Sequence, residues 1–221
     1  MMIRVIITGA TGMVGEGVLH ECLHHPAIAE VLIINRKAAG IQHPKLKEII
    51  HADFFDLSAI EDQLLGYDAC FFCAGVTSIG KNEAEYTLLT YYLTMNFAKT
   101  LTNINPVMTF CYISGSNTDS TEKGRIMWAR VKGKTENDLM KLPFKQVYNF
   151  RPGLLKPTPG LKNTLGIYKF VNWLYPLARK LLPKEVSTLK ELGLAMIKVA
   201  ISGYHKPNVE VEDIVKLAAR V

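Results

Sequence analysis

The hydrophobic pattern changes period repeatedly along the chain. MIRVIITG (2–9) is a β-branched apolar run that ends in glycine. AEVLIINR (29–36), LKEIIHAD (46–53), YDACFFCAG (67–75), VMTFCYISGS (107–116) and FKQVYNFRPG (144–153) are further apolar runs of strand length. Between them, apolar positions recur at helical spacing near 13–24, 57–65, 83–103 and 124–141. Runs that are apolar at consecutive positions suit strands buried on both faces, and helices between them supply the cover. Because crossovers are right-handed, this order predicts an α/β fold built on a doubly wound parallel sheet.

After residue 153 the rhythm shifts. KPTPGLKNTLG reads as a proline- and glycine-rich linker leading into a long amphipathic stretch that ends near 182. A helix near 187–202, a short NVEV strand or extended piece, and a final helix near 211–220 follow. The expectation is one domain over 1–221, in which 154–221 forms a small, mostly helical C-terminal cap on the substrate side.

Composition narrows this picture only in places. Hydrophobic residues make up 48% and charged residues 21% of the chain, as in an ordinary globular protein. No segment approaches the roughly 20 apolar residues that span a bilayer. Cys22, Cys70, Cys73 and Cys111 read as thiols, and a cytoplasmic location is expected from them. Cys70 and Cys73 form a C-x-x-C, but Phe71 and Phe72 put it in a strand instead of at the helix N-terminus a redox pair needs. The net charge of +6 is scattered, without zinc-finger spacing or RNA-binding aromatics, so no nucleic-acid partner is expected.

The densest chemistry lies at the first strand end. In TGATGMVGEG, Gly9, Gly12 and Gly15 stand between an apolar strand and an amphipathic helix. In a Rossmann fold the first glycine permits the tight turn, the second lets backbone approach a pyrophosphate, and the third lets the helix pack on the strand. Thr11 and Met13 lie within the same loop. The following helix also spells H-E-x-x-H through His20, Glu21 and His24. With Val14, Val18, Leu19 and Cys22 facing inward, both histidines and Glu21 belong to the outer face. A zinc site needs a third converging ligand, so no metal is expected.

The second strand ends in Asn35, Arg36 and Lys37, where an NAD-preferring site carries an acidic residue. A guanidinium suits a ribose 2′-phosphate, so NADP(H) is favoured over NAD(H). Asp53 and Phe54 after the third strand suit the adenine, with the carboxylate accepting from its amino group. Cys73, Ala74 and Gly75 after the fourth strand are small enough for a cofactor to lie against backbone.

Together, TGATGMVG, INRK, HADFFD, CAGVTS, YISGS, VKGKTE and FRPG resemble the atypical or extended short-chain dehydrogenase/reductases. Within that superfamily the pattern is most similar to the Tat-interacting, tumour-suppressor-type oxidoreductases and to bacterial epimerase/dehydratase-like relatives. The resemblance covers residues 1 to about 160 well and the tail more loosely. It implies a Tyr-x-x-x-Lys pair on the helix after the fifth strand, where the tyrosine exchanges a proton with substrate and the lysine holds the ribose. In MWARVKGKTE the lysine is Lys132, while Trp128 occupies the tyrosine position. An indole N–H donates a hydrogen bond but exchanges no proton with an alcohol. The resemblance further implies a serine donor to substrate at Ser114 or Ser116, and brings Pro152 of FRPG to the cofactor. Tyr112 shares a strand face with Ser114 and stays open as a replacement phenol. Tyr86, Tyr91 and Tyr92 read as packing groups. Tyr168 and Tyr175 could reach in from the tail.

The leading reading is an NADP(H)-dependent oxidoreductase acting on a small apolar carbonyl or alcohol, with a non-standard proton donor. Epimerase or dehydratase chemistry is the runner-up, and a non-enzymatic NADP(H)-responsive regulatory protein is the alternative. In the tail, Ile167, Phe170, Val171, Leu174, Leu177, Ala178 and Leu181 fall at helical spacing. Trp173 adds apolar surface, and Lys169, Arg179, Lys180 and Lys184 surround the stripe. This helix would roof the substrate cleft, or make a peripheral membrane or protein contact through 162–184. The chain is expected to act as a monomer or dimer.

Overall fold

The computed structural model describes residues 2–164 and 168–219. The order along the chain begins β1 (Ile3–Thr8), α1 (Met13–His24), β2 (Ile28–Asn35), β3 (Leu46–Ile50), a 3₁₀ segment (Ser58–Leu64) and β4 (Ala69–Phe72). Next come α2 (Glu83–Thr87), a π-helical turn (Leu88–Tyr92), α3 (Leu93–Ile104), β5 (Thr109–Ile113), α4 (Met127–Leu139) and β6 (Gln146–Arg151). The tail holds β7 (Leu154–Lys156), α5 (Tyr168–Leu181), β8 (Val186–Thr188), α6 (Leu189–Ser202), β9 (Asn208–Glu210) and α7 (Val211–Ala218).

Seven strands form one parallel sheet in the order β3-β2-β1-β4-β5-β6-β9. Both faces are covered, which is why the strands lack polar alternation. Val5, Ile7, Val31 and Ile33 point into a layer shared with α1, α6 and α7. Ile6, Leu32, Ile34, Cys70, Phe72 and Phe110 point into the opposite layer, with the 3₁₀ segment and α3. Each fully buried Leu, Ile or Phe contributes about 1.5–3 kcal/mol. Strand order reverses between β1 and β4, so a crevice opens beyond their C-terminal ends, where ligands bind in folds of this kind.

The tail is mostly helical, as expected, and part of it also completes the main sheet. α6 is the crossover helix that brings β9 into the sheet, and its Leu192, Ala195, Met196 and Val199 belong to the main core. It starts in a capping box, with Glu191 N–H donating to Thr188 Oγ1 at 3.0 Å and Thr188 N–H to Glu191 at 2.8 Å. β7 lies just before the stretch read as a linker, sharing only Lys156 with it, and pairs with β8 in a second, two-stranded sheet. α5 forms where the amphipathic stretch predicts a helix, with Pro176 inside it. Its Arg179 donates to Glu191 at 2.7 Å and to the Val186 carbonyl, holding its last turns on this small sheet. Ile167 and the side chains of residues 168–174, including Phe170 and Trp173, lie outside the described residues. Among the described residues no helix is long and apolar enough to cross a membrane.

Two further expectations change. α1 is buried on two sides because α6 packs across it at Gly17 and Gly193, where added Cβ atoms would approach Leu189 to 2.9 Å and Glu21 to 2.8 Å. Glu21 is therefore buried beneath α6 instead of standing on the outer face. His20 Nδ1 lies 3.1 Å from Glu21, and His24 Nδ1 lies 2.7 Å from the His20 carbonyl. Among the described residues no set of three His, Cys, Asp or Glu gathers around a metal position. The helix expected over 83–103 is interrupted by the π turn, which shifts the register of Leu89 relative to Leu93.

Candidate functional site

The glycine loop is shaped by contacts that exclude side chains. Gly9 has φ +72°, and a Cβ there would lie 2.7 Å from Ala74 N. A Cβ on Gly15 would lie 2.2 Å from the Gly9 carbonyl oxygen, so Gly15 packs under the loop and does not line the crevice. Asn35, buried at the end of β2, accepts from Ala10 N at 3.1 Å and donates to Glu48 at 3.2 Å. Thr8 Oγ1 accepts from Ala74 N at 3.2 Å, tying β1 to the strand beside it. Among the described residues, nothing accepts from the N–H groups of Thr11 or Met13 at the start of α1.

Around this loop the crevice divides into connected parts. A cavity of about 260 Å³ is bounded by Gly9, Thr11, Gly12, Arg36, Phe54 and the Cys73–Gly75 segment. A narrower slot of about 160 Å³ runs between Arg36, Asp53, Phe54, Ala74 and Gly75 on one side and Leu89 and Leu93 on the other. Phe54 is held by stacking on Phe97 at 5.7 Å, and Asn96 Nδ2 donates to the Phe54 and Phe55 carbonyls at 3.2 and 2.8 Å. One Asp53 oxygen accepts from Phe55 N at 2.8 Å, fixing the turn below the slot. A third space of about 580 Å³ lies between Thr11, Glu16, Arg36, Lys37 and the Lys162–Asn163 turn. Met13 and Thr164 border a further space between the loop and the same turn.

These residues fit a dinucleotide. The loop leaves backbone N–H groups at a helix N-terminus for phosphate oxygens, and an apolar slot of aromatic width lies beside it. Cys73 stands at the mouth as an inert group, because burial pushes its thiol up to about 12.

Beyond the β5 end the arrangement differs from the expectation. Ser114 is buried, and its hydroxyl donates to the Phe150 carbonyl at 3.0 Å, which also accepts from Ser114 N at 2.8 Å. Its only proton is directed at the sheet in this arrangement, unlike the hydroxyl of Ser116. Ser116 N donates to the Pro152 carbonyl at 2.9 Å, while its Oγ has no partner among the described residues. Pro152 therefore meets the Ser116 backbone. Trp128 lies over Gly115, 3.9 Å from where a Cβ would stand. Tyr112 is 2% exposed among Phe72 and Phe110, and burial raises its phenol strongly.

Lys132 Nζ donates to the Ile113 carbonyl at 3.2 Å and the Ser114 carbonyl at 2.5 Å, and stands 5.9 Å from the Tyr112 ring centroid. Burial pushes its ammonium down to about 8, against a smaller opposing pull from Glu136. Its helix is locked from both sides. A Cβ on Gly133 would lie 1.8 Å from the Asp119 carbonyl oxygen, so the loop after β5 crosses α4 at that glycine. One turn beyond Lys132, fully buried Glu136 takes two bonds from Arg151, one of them 3.0 Å from Nε. Asn35, Asn96, Glu16 and the Glu136–Arg151 pair are site-building residues that residue pattern alone does not single out. For the last pair, VKGKTE and FRPG carry a signal as motifs, but nothing in them indicates that they meet.

Residues 5–118 match the NAD dependent epimerase/dehydratase family. The mitochondrial protein FMP52 of Candida albicans is 28% identical over 228 residues, covering 96% of each chain. A solved UDP-N-acetylglucosamine 4-epimerase from Methanobrevibacter ruminantium M1, in complex with UDP-N-acetylmuramic acid, superimposes with a TM-score of 0.67 at 17% identity. That superposition covers 94% of this chain and 75% of the epimerase. The Bordetella bronchiseptica enzyme WbmF in complex with NAD+ superimposes at 0.65 and 14% identity, covering 99% and 77%. At such identities the two structures bear on the fold alone. The FMP52 relatives are named mitochondrial, which overturns the cytoplasmic location expected from the thiols. Reduced cysteines argue against an oxidising compartment without distinguishing among reducing ones. The seven-stranded sheet and the family match agree on a nicotinamide dinucleotide as the cofactor class, and this chain belongs to the NAD dependent epimerase/dehydratase family.

Proposed function

We propose that this protein is an NADP(H)-dependent oxidoreductase acting on a small apolar carbonyl or alcohol with a non-standard proton donor. The observation that carries the cofactor preference is the end of β2: Arg36 and Lys37 border a cavity where an NAD-preferring site would place a carboxylate. In this reading Gly9, Thr11, Gly12 and Met13 take the pyrophosphate, and Asp53, Phe54 and the Cys73–Gly75 segment take the adenosine. Lys132 and Pro152 border the nicotinamide end. The bound nicotinamide supplies hydride chemistry.

The chain's own residues do the rest. Ser116, with its hydroxyl uncommitted, holds the substrate oxygen. Lys132 carries a proton that it can release near neutral pH, because burial has lowered its affinity for it. Trp128 over Gly115 makes that wall aromatic, which favours an apolar substrate over a sugar nucleotide. The likeness to Tat-interacting-type oxidoreductases belongs to this proposal, as does a mitochondrial setting like that of the FMP52 relatives.

One observation favours a second reading. With Trp128 at the phenol position and the Ser114 hydroxyl spent on Phe150, the protein could instead be a sensor in which NADP(H) occupancy changes affinity for a partner. Titration with NADPH and NADH, followed by nicotinamide fluorescence, separates these possibilities. Tighter NADPH binding that Arg36→Ala weakens roughly 10- to 100-fold, with NADH little changed, supports the cofactor assignment. Binding of neither cofactor overturns it. Trp128→Tyr then tests catalysis: a rise of roughly 100-fold in carbonyl reduction, in the range a positioned acid supplies, supports the enzyme. An unchanged rate with cofactor binding intact supports the sensor.

A further inference from the structure

Glu16 stands in the first turn of α1, directly behind the glycine loop, and is 4% exposed. A buried carboxylate needs donors, and both of its oxygens are satisfied by a distant turn. Lys162 N donates to Oε1 at 2.8 Å and Asn163 N donates to Oε2 at 2.7 Å. The partners are 146 and 147 residues away, so the carboxylate pins the start of the tail over the cofactor loop. The pinned turn forms one wall of the space of about 580 Å³ whose other walls include Thr11, Arg36 and Lys37.

The charge around that space is predominantly positive, three cations to the one carboxylate of Glu16. Elsewhere Arg4, Arg130, Arg151 and Arg179 pair with Glu30, Glu83, Glu136 and Glu191. Among the described residues, Arg36, Lys37 and Lys162 have no carboxylate partner, although Glu16 borders the same space. Both Glu16 oxygens are held by main-chain donors, so none of the three cations pairs with it directly, and the cations outnumber this one carboxylate around the space. Three cations around one cavity exceed what a ribose hydroxyl uses, whereas a phosphate dianion offers several acceptor oxygens. The cavity adjoins the ribose side of the crevice through Arg36, which lines both.

We propose that Lys162 is a cofactor-specificity residue, carried over the glycine loop by Glu16, and that with Arg36 and Lys37 it forms the pocket for the adenosine 2′-phosphate. This rests on the NADP(H) reading above and extends it to the tail, since the pocket is incomplete without the Lys162–Asn163 turn. It makes phosphate recognition depend on a segment outside the first half of the fold.

The test uses the adenosine half alone, so it needs no turnover. Binding of 2′,5′-ADP and 5′-ADP is measured by calorimetry at low salt for wild type, Lys162→Gln, Lys162→Arg and Arg36→Ala. Lys162 is exposed, so its variants should fold. The expected result is that Lys162→Gln weakens 2′,5′-ADP roughly 5- to 20-fold, the loss of one charge-assisted contact, and leaves 5′-ADP unchanged. Lys162→Arg should retain the preference. If Lys162→Gln binds both ligands like wild type while Arg36→Ala loses the preference, Lys162 is removed from the site and the NADP(H) reading stands. An equal loss for both ligands also overturns the role, because 5′-ADP carries no 2′-phosphate. Equal binding of both ligands by wild type overturns this inference and the NADP(H) reading together.

Discussion

Replacing Arg151 with methionine probes the part of the structure that sets α4. The Arg151 guanidinium donates to both oxygens of Glu136, to Ser120 Oγ at 2.5 Å and to Glu210 at 3.1 Å. It thereby joins α4, the loop after β5 and the end of β9 at one point on β6. Glu136 has no exposed surface and Arg151 keeps 12% of its side chain exposed, so solvent screens the pair weakly. Removing one partner of such a pair leaves a buried charge without compensation and costs about 3–5 kcal/mol. At about 2–4 °C per kcal/mol for a chain of this size, Tm should fall by roughly 6–20 °C. Urea unfolding of wild type, Arg151→Met, Glu136→Leu and the double variant measures this directly. The double variant should recover much of the loss, because an apolar pair of similar volume removes both the charge and its need for a partner. A loss below about 1 kcal/mol for Arg151→Met, the range of an exposed ion pair, would refute the reasoning. So would a double variant no more stable than the singles.

Two other outcomes follow from α4. Gly133→Ala should destabilise by about 1–3 kcal/mol in urea, since its Cβ would stand 1.8 Å from the Asp119 carbonyl oxygen. Helix propensity alone predicts the opposite sign, so a more stable variant would show that the loop simply moves aside. Lys132 has a folded-state value of about 8, below its ordinary 10.5, so the folded protein sheds this proton first as pH rises. Its contribution to stability should therefore increase from pH 8 to 10.5. Binding that uses its charge should weaken above about pH 8, and Lys132→Arg should carry that inflection out of the range. A nicotinamide-binding profile identical for the two proteins through pH 9 would count against a role for the Lys132 charge.

The strands and the glycine loop were legible because their causes are local. A strand buried on both faces must be apolar at successive positions, as Val5, Ile6 and Ile7 are, and one glimpse of that pattern predicts cover on both sides. Gly9 needs a left-handed backbone conformation, which a glycine between strand and helix announces. The hydrogen bond from Ser114 to Phe150 was not legible, because a hydroxyl at a strand end looks the same whether it faces the crevice or a neighbouring carbonyl. The break at Leu88–Tyr92 has no residue signature, since its leucines and tyrosines suit an ordinary helix.

The chain by itself determined the α/β architecture, the place of the glycine loop between β1 and α1, and Trp128 four residues before Lys132, since each depends on residue type and short spacing. Only the tertiary structure decided what the tail packs against. Arg151 claims Glu136, and Glu16 holds the Lys162–Asn163 turn beside the glycine loop. Each of these is a polar group forced to find its partner by burial. Burial is a property of the packed chain, so no stretch of sequence around either partner records it.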